Sequence, residues 1–156
     1  FMKSLLSVFA FAVTLIFFTQ SATAAGHADD GWIVKGSASS VSDTADKLAA
    51  AIEKAGAKVF ARVDHAAGAK SIDTPLDPMV LMIFGNPKIG TPILQADPKA
   101  GLDLPIRVLI WEEDGKTQIG YLDPERLKER YSVSTADKSF MTMAGALNKL
   151  TSAAAQ

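Results

Sequence analysis

Cysteine is absent from the 156 residues. Without thiols the chain can form no disulfide, build no thiolate metal site and use no cysteine nucleophile, so its stability has to come from its core. Positive charge is scarce too: 16 Lys and Arg stand against 17 Asp and Glu, a formal balance of −1, and no run of basic residues occurs. A nucleic-acid binder presents a basic face, so that class of partner is not expected. Long apolar runs are also lacking. The uncharged stretch from Leu5 to Phe18 has 14 residues, short of the roughly 20 needed to span a bilayer. No internal repeat and no linker divides the chain.

Hydrophobic residues make up 48% of the sequence, enough at this length for one globular domain around a single core. The N-terminus reads as a secretory signal, with Met2 as natural start, Lys3 as the positive n-region, Leu5 to Phe18 as the apolar h-region and Ala22-Thr23-Ala24 as the cleavage site. Residues 1–24 are therefore expected to be removed, leaving no membrane segment and a periplasmic or secreted protein. Lys3 leaves with the signal, so 15 basic residues then face 17 acidic ones. Residues 25–31 are expected to be flexible, 32–151 to form one domain, and 152–156 to fray.

Within the domain, Trp32 to Ser37 reads as a strand. Val41, Ala45, Leu48, Ile52 and Ala55 then fall on one face of a helix, with Ser40 or Ser42 as cap and Gly56 as stop. Lys58 to Asp64 is a second strand, with Val59, Ala61 and Val63 expected on one face. His65 to Asp73 reads as a connector of small residues. Val80 to Phe84 is apolar on both sides, as in a strand covered on both faces or sitting at a tight interface.

Thr91 as cap and Pro92 as first residue predict a short helix over 92–96. Ile106 to Glu112 is a fourth strand, which the Asp114-Gly115 turn pairs with Thr117 to Leu122. Asp123-Pro124 opens a helix that stops near Tyr131. Ser134 with Asp137 resembles a capping box before Phe140, Met143, Ala144, Leu147 and Leu150. This order predicts an α+β domain: an antiparallel or mixed sheet with helices largely on one face.

The loop residues form a set: Asp64-His65-Ala66-Ala67-Gly68-Ala69, Phe84-Gly85-Asn86-Pro87-Lys88, Gly90-Thr91-Pro92, Leu102-Asp103-Leu104-Pro105, Trp111-Glu112, and Tyr121 before Asp123-Pro124. In this order the set resembles domain-of-unknown-function family 302 (DUF 302), from about Trp32 to Val133, with the tail beyond Ser134 extending past the family core. The resemblance implies a TATA-binding-protein-like fold, an antiparallel sheet of about five strands with helices mainly on one face. It implies no activity. Arg107 stands where Lys is also usual, which keeps a cation there.

Four constellations carry candidate chemistry. Asn86, Lys88, Gly90, Thr91 and Arg107 could cradle a small polar or anionic ligand on the amides that open a helix; the plainer reading makes Asn86 and Thr91 turn and cap residues and Lys88 solvated. Asp64, His65 and Asp103 could do acid–base work, since His titrates near neutral pH and a carboxylate could orient it. Asp64 could equally cap the following turn or pair with Arg62 or Arg107. Third, a cut after Ala24 would expose Ala25-Gly26-His27, whose amine, amides and imidazole suit square-planar Cu(II) or Ni(II); no other cofactor is indicated. Fourth, Trp111 and Tyr121 could wall a pocket, or simply pack across the hairpin. Met82 and Met143 are expected in the core, and Glu125, Arg126, Lys128, Glu129 and Arg130 on a solvated helix face.

The expectation is an exported binding or accessory protein with a pocket between the Gly85–Thr91 loop and the Asp103–Trp111 segment. Two alternatives stand beside it: a small-substrate enzyme using Asp64, His65 and Asp103, and a homo-dimeric or larger assembly module paired through a helix-free sheet face.

Overall fold

The computed structural model describes residues 31–131 and 133–156. The elements in chain order are β1 (Trp32–Ser37), α1 (Val41–Lys54), β2 (Lys58–Asp64), α2 (His65–Lys70), β3 (Met79–Gly85), α3 (Pro87–Ala96), β4 (Ile106–Glu113), β5 (Lys116–Leu122), α4 (Pro124–Arg130) and α5 (Asp137–Ala154), with tight 3₁₀ turns at Pro98–Leu102 and Ser134–Ala136. The five strands form one sheet in the order β1-β5-β4-β3-β2, every pair antiparallel. This is the expected α+β architecture. Because β1 and β2 occupy opposite edges, the helix between them has to cross the whole sheet, and α1 packs on β3, β4 and α5 as it does so.

Helix α1 follows from its sequence. The Ser40 side chain caps it by accepting from the Asp43 amide at 3.1 Å, and Gly56 takes the left-handed φ of +72° beyond its end. Val41, Ala45, Leu48 and Ile52 are buried, a stripe worth roughly 1.5–3 kcal/mol for each large side chain. Ala55, expected on the same stripe, is instead the exposed C-cap residue. The same core holds Met82, Val108, Ile110 and Ile119 from the sheet and Phe140, Met143 and Leu147 from α5. The Asp114-Gly115 turn has φ of +51° and +71°, the left-handed pair that a two-residue hairpin needs.

Other local expectations also differ from the structure. Val59, Ala61 and Val63 do not share a face, because the register with β3 slips between Val59 and Ala61. A bulge at Phe60 turns Val59 toward the helices and Ala61 and Val63 away, since one extra residue inverts the alternation. His65 to Lys70 is a helical turn rather than a plain connector, because the Asp64 carboxylate accepts from the Ala67 amide at 2.9 Å. Helix α3 starts at Pro87, not Pro92: Asn86 is its cap, and Pro92 lies inside it. The Ser134–Asp137 capping box does not form; α5 has no side-chain cap, and Asp137 accepts from Lys128 at 2.9 Å instead.

Residues 152–156, expected to fray, are held by long-range contacts. Lys35 donates to the Asn148 carbonyl, Asn148 Oδ1, Thr151 Oγ1 and Ser152 Oγ at 2.7–2.9 Å, Ala38 N donates to the Ala155 carbonyl, and Lys47 to that of Gln156. Ala154 is fully buried.

Strand β3 alternates: Val80, Met82 and Phe84 are buried under the helices, while Met79, Leu81 and Ile83 are half-buried on the other face. It is therefore not covered on both faces by helices, and the central strand is β4.

Candidate functional site

Where β3 ends and β4 begins, Gly85-Asn86-Pro87 turns the chain into α3, and a cavity of about 320 Å³ opens between α3, α5 and this end of the sheet. Its walls are mostly carbon, with Phe60, Phe84, Ile89, Leu94, Met143 and Leu147 among the residues that line it. Asn86 and Thr91 are the polar side chains that reach it, and Gly90 leaves the wall open where any other residue would project a Cβ. The volume lies at the lower end of the range for small-molecule sites, and the pattern of apolar walls with a few polar groups is typical of them.

This is not the polar cradle expected. The amides that open α3 are already committed: Asn86 Oδ1 accepts from Lys88 N at 3.0 Å, and the Asn86 carbonyl accepts from Ile89 N at 2.9 Å and Gly90 N at 3.0 Å. Pro87 has no N–H to offer. An anion would therefore find few unspent donors here. The Thr91 hydroxyl is exposed and makes no hydrogen bond within the described residues. Lys88 is exposed and does not line the cavity. The Asp103–Trp111 segment contributes only through Leu104, Pro105 and Ile106.

Asp103 and Arg107 belong to a different structure. Asp103 is only 8% exposed; its Oδ1 accepts from Arg107 at 2.8 Å, and its Oδ2 from Arg130 at 2.9 Å and from the Tyr131 hydroxyl at 2.6 Å. Burial alone would raise the carboxyl pKa, but the hydrogen bonds from Tyr131 and Arg130 and the charges of Arg130 and Arg107 outweigh it and hold the group below the ordinary carboxylate value. The Tyr131 hydroxyl is pushed up, first by its bond to Asp103. Asp103 thus ties the start of β4 to the end of α4. Neither Arg130 nor Tyr131 was singled out for a site from the sequence, and a pairing across 27 and 28 residues leaves no local signal.

The Asp64–His65–Asp103 constellation is not assembled. Asp64 lies opposite Val80, which lies opposite Ile110, whereas Asp103 precedes Ile106, the partner of Phe84. The groups thus sit at opposite ends of the sheet, roughly 20 Å apart at the rise of a strand. Asp64 is the cap of α2, and His65 is exposed. Trp111 and Tyr121 are separated by the sheet itself: Trp111 stands on the helix-free face against Trp32, while Tyr121 is buried under the helices, its pKa raised by burial and then by the charge of Asp123. Ala25, Gly26 and His27 lie outside the described residues. Among the described residues no group of three or more His, Asp or Glu side chains is placed to hold a metal, and no helix is long and apolar enough to cross a membrane.

A family model described as "Domain of unknown function DUF302" matches residues 33–150. The match reaches into the last turns of α5, so this helix is part of the family domain and not an extension beyond it, in keeping with the four large side chains, Phe140, Met143, Leu147 and Leu150, that it buries. The crystal structure of an uncharacterized conserved protein DUF302 from Bacillus stearothermophilus superposes with a TM-score of 0.74 at 17% identity, covering 80% of this chain and 98% of that one. Among curated proteins, the fluoride-specific ion channels FluC 1 of Brucella suis and FluC 2 of Brucella melitensis are each 41% identical over 126 residues, which is 78% of this chain and 50% and 47% of theirs. The chain spans about half the length of the curated relatives it matches.

Proposed function

We propose that this chain, which belongs to the DUF302 family, is an exported binding protein for a small, largely apolar ligand held between α3 and α5. The observation that carries the reading is the 320 Å³ cavity with carbon walls and two polar side chains, Asn86 and Thr91. A ligand burying about 200 Å² of apolar surface there would gain roughly 5 kcal/mol, from which the cost of immobilising it is subtracted. The apolar body would lie against Phe84, Met143 and Leu147, and a hydroxyl, carbonyl or carboxyl end would meet Thr91. Medium-chain alkanols and alkanoates are suitable probes. They are expected to raise the melting temperature of the wild type, and Ala146→Phe, which fills the cavity from α5, is expected to abolish that shift. Stabilisation that persists unchanged in Ala146→Phe would remove the cavity from consideration.

A second reading is favoured by the 41% identity to fluoride-specific ion channels. Among the described residues no helix is long and apolar enough to cross a membrane; on this reading the chain serves beside a fluoride channel as an accessory domain. Deleting its gene should then lower fluoride tolerance; unchanged tolerance counts against this reading and leaves the cavity reading untouched.

A further inference from the structure

The helices α1 and α5 cover one face of the sheet, and the core residues of the strands all point to it. The register places a second row on the other face. Leu81 opposes Leu109 and Val63, and Trp111 stands two residues further along β4. Trp32 and Val34 continue the row on β1; both are 46% exposed, and Val63 is 38% exposed. Helices α1 and α5 lie on the opposite side from this row, and α4 reaches it at one margin, where Glu125, Arg126 and Glu129 stand beside Trp32. Isolated exposed apolar residues are ordinary, but a contiguous sheet face of them is a site for another surface.

We infer that this face is the contact between two copies of the chain, stacked sheet on sheet about a two-fold axis. Two observations choose a second copy over other occupants. The first is size. Five strands at about 4.8 Å spacing and six to eight residues at about 3.3 Å rise give a face of roughly 500 Å² per copy. Two such faces reach the roughly 1,000 Å² that a specific interface requires. The second is charge. Along the central strand the outward row runs Arg107, Leu109, Trp111, Glu113, a cation at one end and an anion at the other with carbon between, and Lys116 of β5 stands opposite Glu113 on the same face. Stacking two copies with their β4 strands parallel would set Arg107 on Arg107 and Glu113 on Glu113. A two-fold axis across the strands reverses one copy and sets each Arg107 end over a Glu113 end, within side-chain reach of sheets about 10 Å apart. The half-exposed Arg107 side chain uses one nitrogen on Asp103 and has others to give.

The test is sedimentation equilibrium on the protein purified from its own cells, over about 1 to 200 µM, where a contact of this size is expected to show a reversible monomer–dimer equilibrium. Leu109→Lys, at the centre of the face, is expected to raise the dissociation constant at least about tenfold, and Glu113→Arg by a smaller factor. Ala146→Phe, in the ligand cavity, should leave the equilibrium unchanged, so a failure of the ligand reading and a failure of this one are told apart. If Leu109→Lys does not fold, the pair Val34→Lys and Val63→Lys, at sites that already meet solvent, decides in its place. A wild type that stays monomeric throughout the range overturns the inference, as does a charged variant that remains fully dimeric. A monomer that floats with phospholipid vesicles overturns it too, and assigns the face to a membrane surface.

Discussion

The indole of Trp111 meets that of Trp32 edge-on, with ring centroids 6.4 Å apart and planes at 74°, across a strand that carries no side chain at the crossing. That strand is β5, and the residue is Gly120. A Cβ there would lie 3.2 Å from two ring carbons of Trp111 and 3.2 Å from the Ile33 carbonyl oxygen. Both contacts are closer than ordinary van der Waals distance, so the ring or the backbone would have to give by a few tenths of an ångström. Gly120→Ala is therefore expected to destabilise the fold by about 1–3 kcal/mol, the usual range for an overpacked site. Tryptophan emission would report the same event, shifting to the red as Trp111 is pushed into solvent. An unchanged melting temperature and spectrum would mean that the contact has room to spare.

Asp103 gives the fold a dependence on acid. Its folded pKa lies below the ordinary carboxylate value, so the folded state binds the proton less readily than the unfolded one. The stabilisation is complete above about pH 4 and is lost as pH falls through the depressed folded value. Asp103→Asn should remove it. Because Arg107 and Arg130 are half-exposed and can turn to water, a loss of about 1–3 kcal/mol at neutral pH is expected, short of that for a fully buried pair. The variant's melting temperature should also fall less steeply than the wild type's in acid. Parallel curves for the two proteins would place the acid sensitivity elsewhere.

Lys35 holds the end of α5 to β1 through four oxygen acceptors. Burial lowers its pKa, and none of the four acceptors carries a charge to restore it. Lys35→Met keeps the aliphatic stem and deletes the donors. Its cost should be about 1 kcal/mol, because Asn148 and Ser152 are near enough to solvent to find water. The sharper readout is local: amide exchange over 148–155 should quicken by an order of magnitude or more, while α1 is unaffected. Equal acceleration across both helices would show global destabilisation instead.

Lys35 also shows where reading the sequence stops. Strand β1, helix α1 and the Asp114-Gly115 hairpin were legible because their signals are local: alternation, a stripe with its cap and stop, and a turn that needs two left-handed residues. The fate of Ser152 to Gln156 was not, since Lys35 and Lys47 lie more than a hundred positions away. The bulge at Phe60 escaped for the same reason: KVFARVD alternates well on paper, and only pairing with β3 adds the slip. At α3 the sequence offered two prolines, each with a capping residue before it, and nothing local chose Asn86-Pro87 over Thr91-Pro92. The site suffered most. Asn86, Gly90 and Thr91 line the cavity, but Met143 and Leu147 of α5, which help make it apolar, are brought there by tertiary packing.

Thr91 separates binding from stability. Asn86 caps α3, so Asn86→Ala should cost about 0.5–2 kcal/mol of fold stability whatever the ligand does, and a weaker ligand response in that variant would be ambiguous. The Thr91 hydroxyl supports nothing in the fold, and Thr91→Val keeps the shape of the side chain on an exposed site. Its melting temperature without ligand is therefore expected to match the wild type within about 0.5 kcal/mol of stability. If the polar end of the ligand is held by this hydroxyl, affinity for a medium-chain alkanol should fall about three- to tenfold, the worth of one neutral hydrogen bond, whereas affinity for the corresponding alkane should not change. Titration of both probes against both proteins checks this directly. Equal loss for alcohol and alkane would mean that the substitution acts through cavity shape, and no loss for either would move the polar end of the ligand away from Thr91.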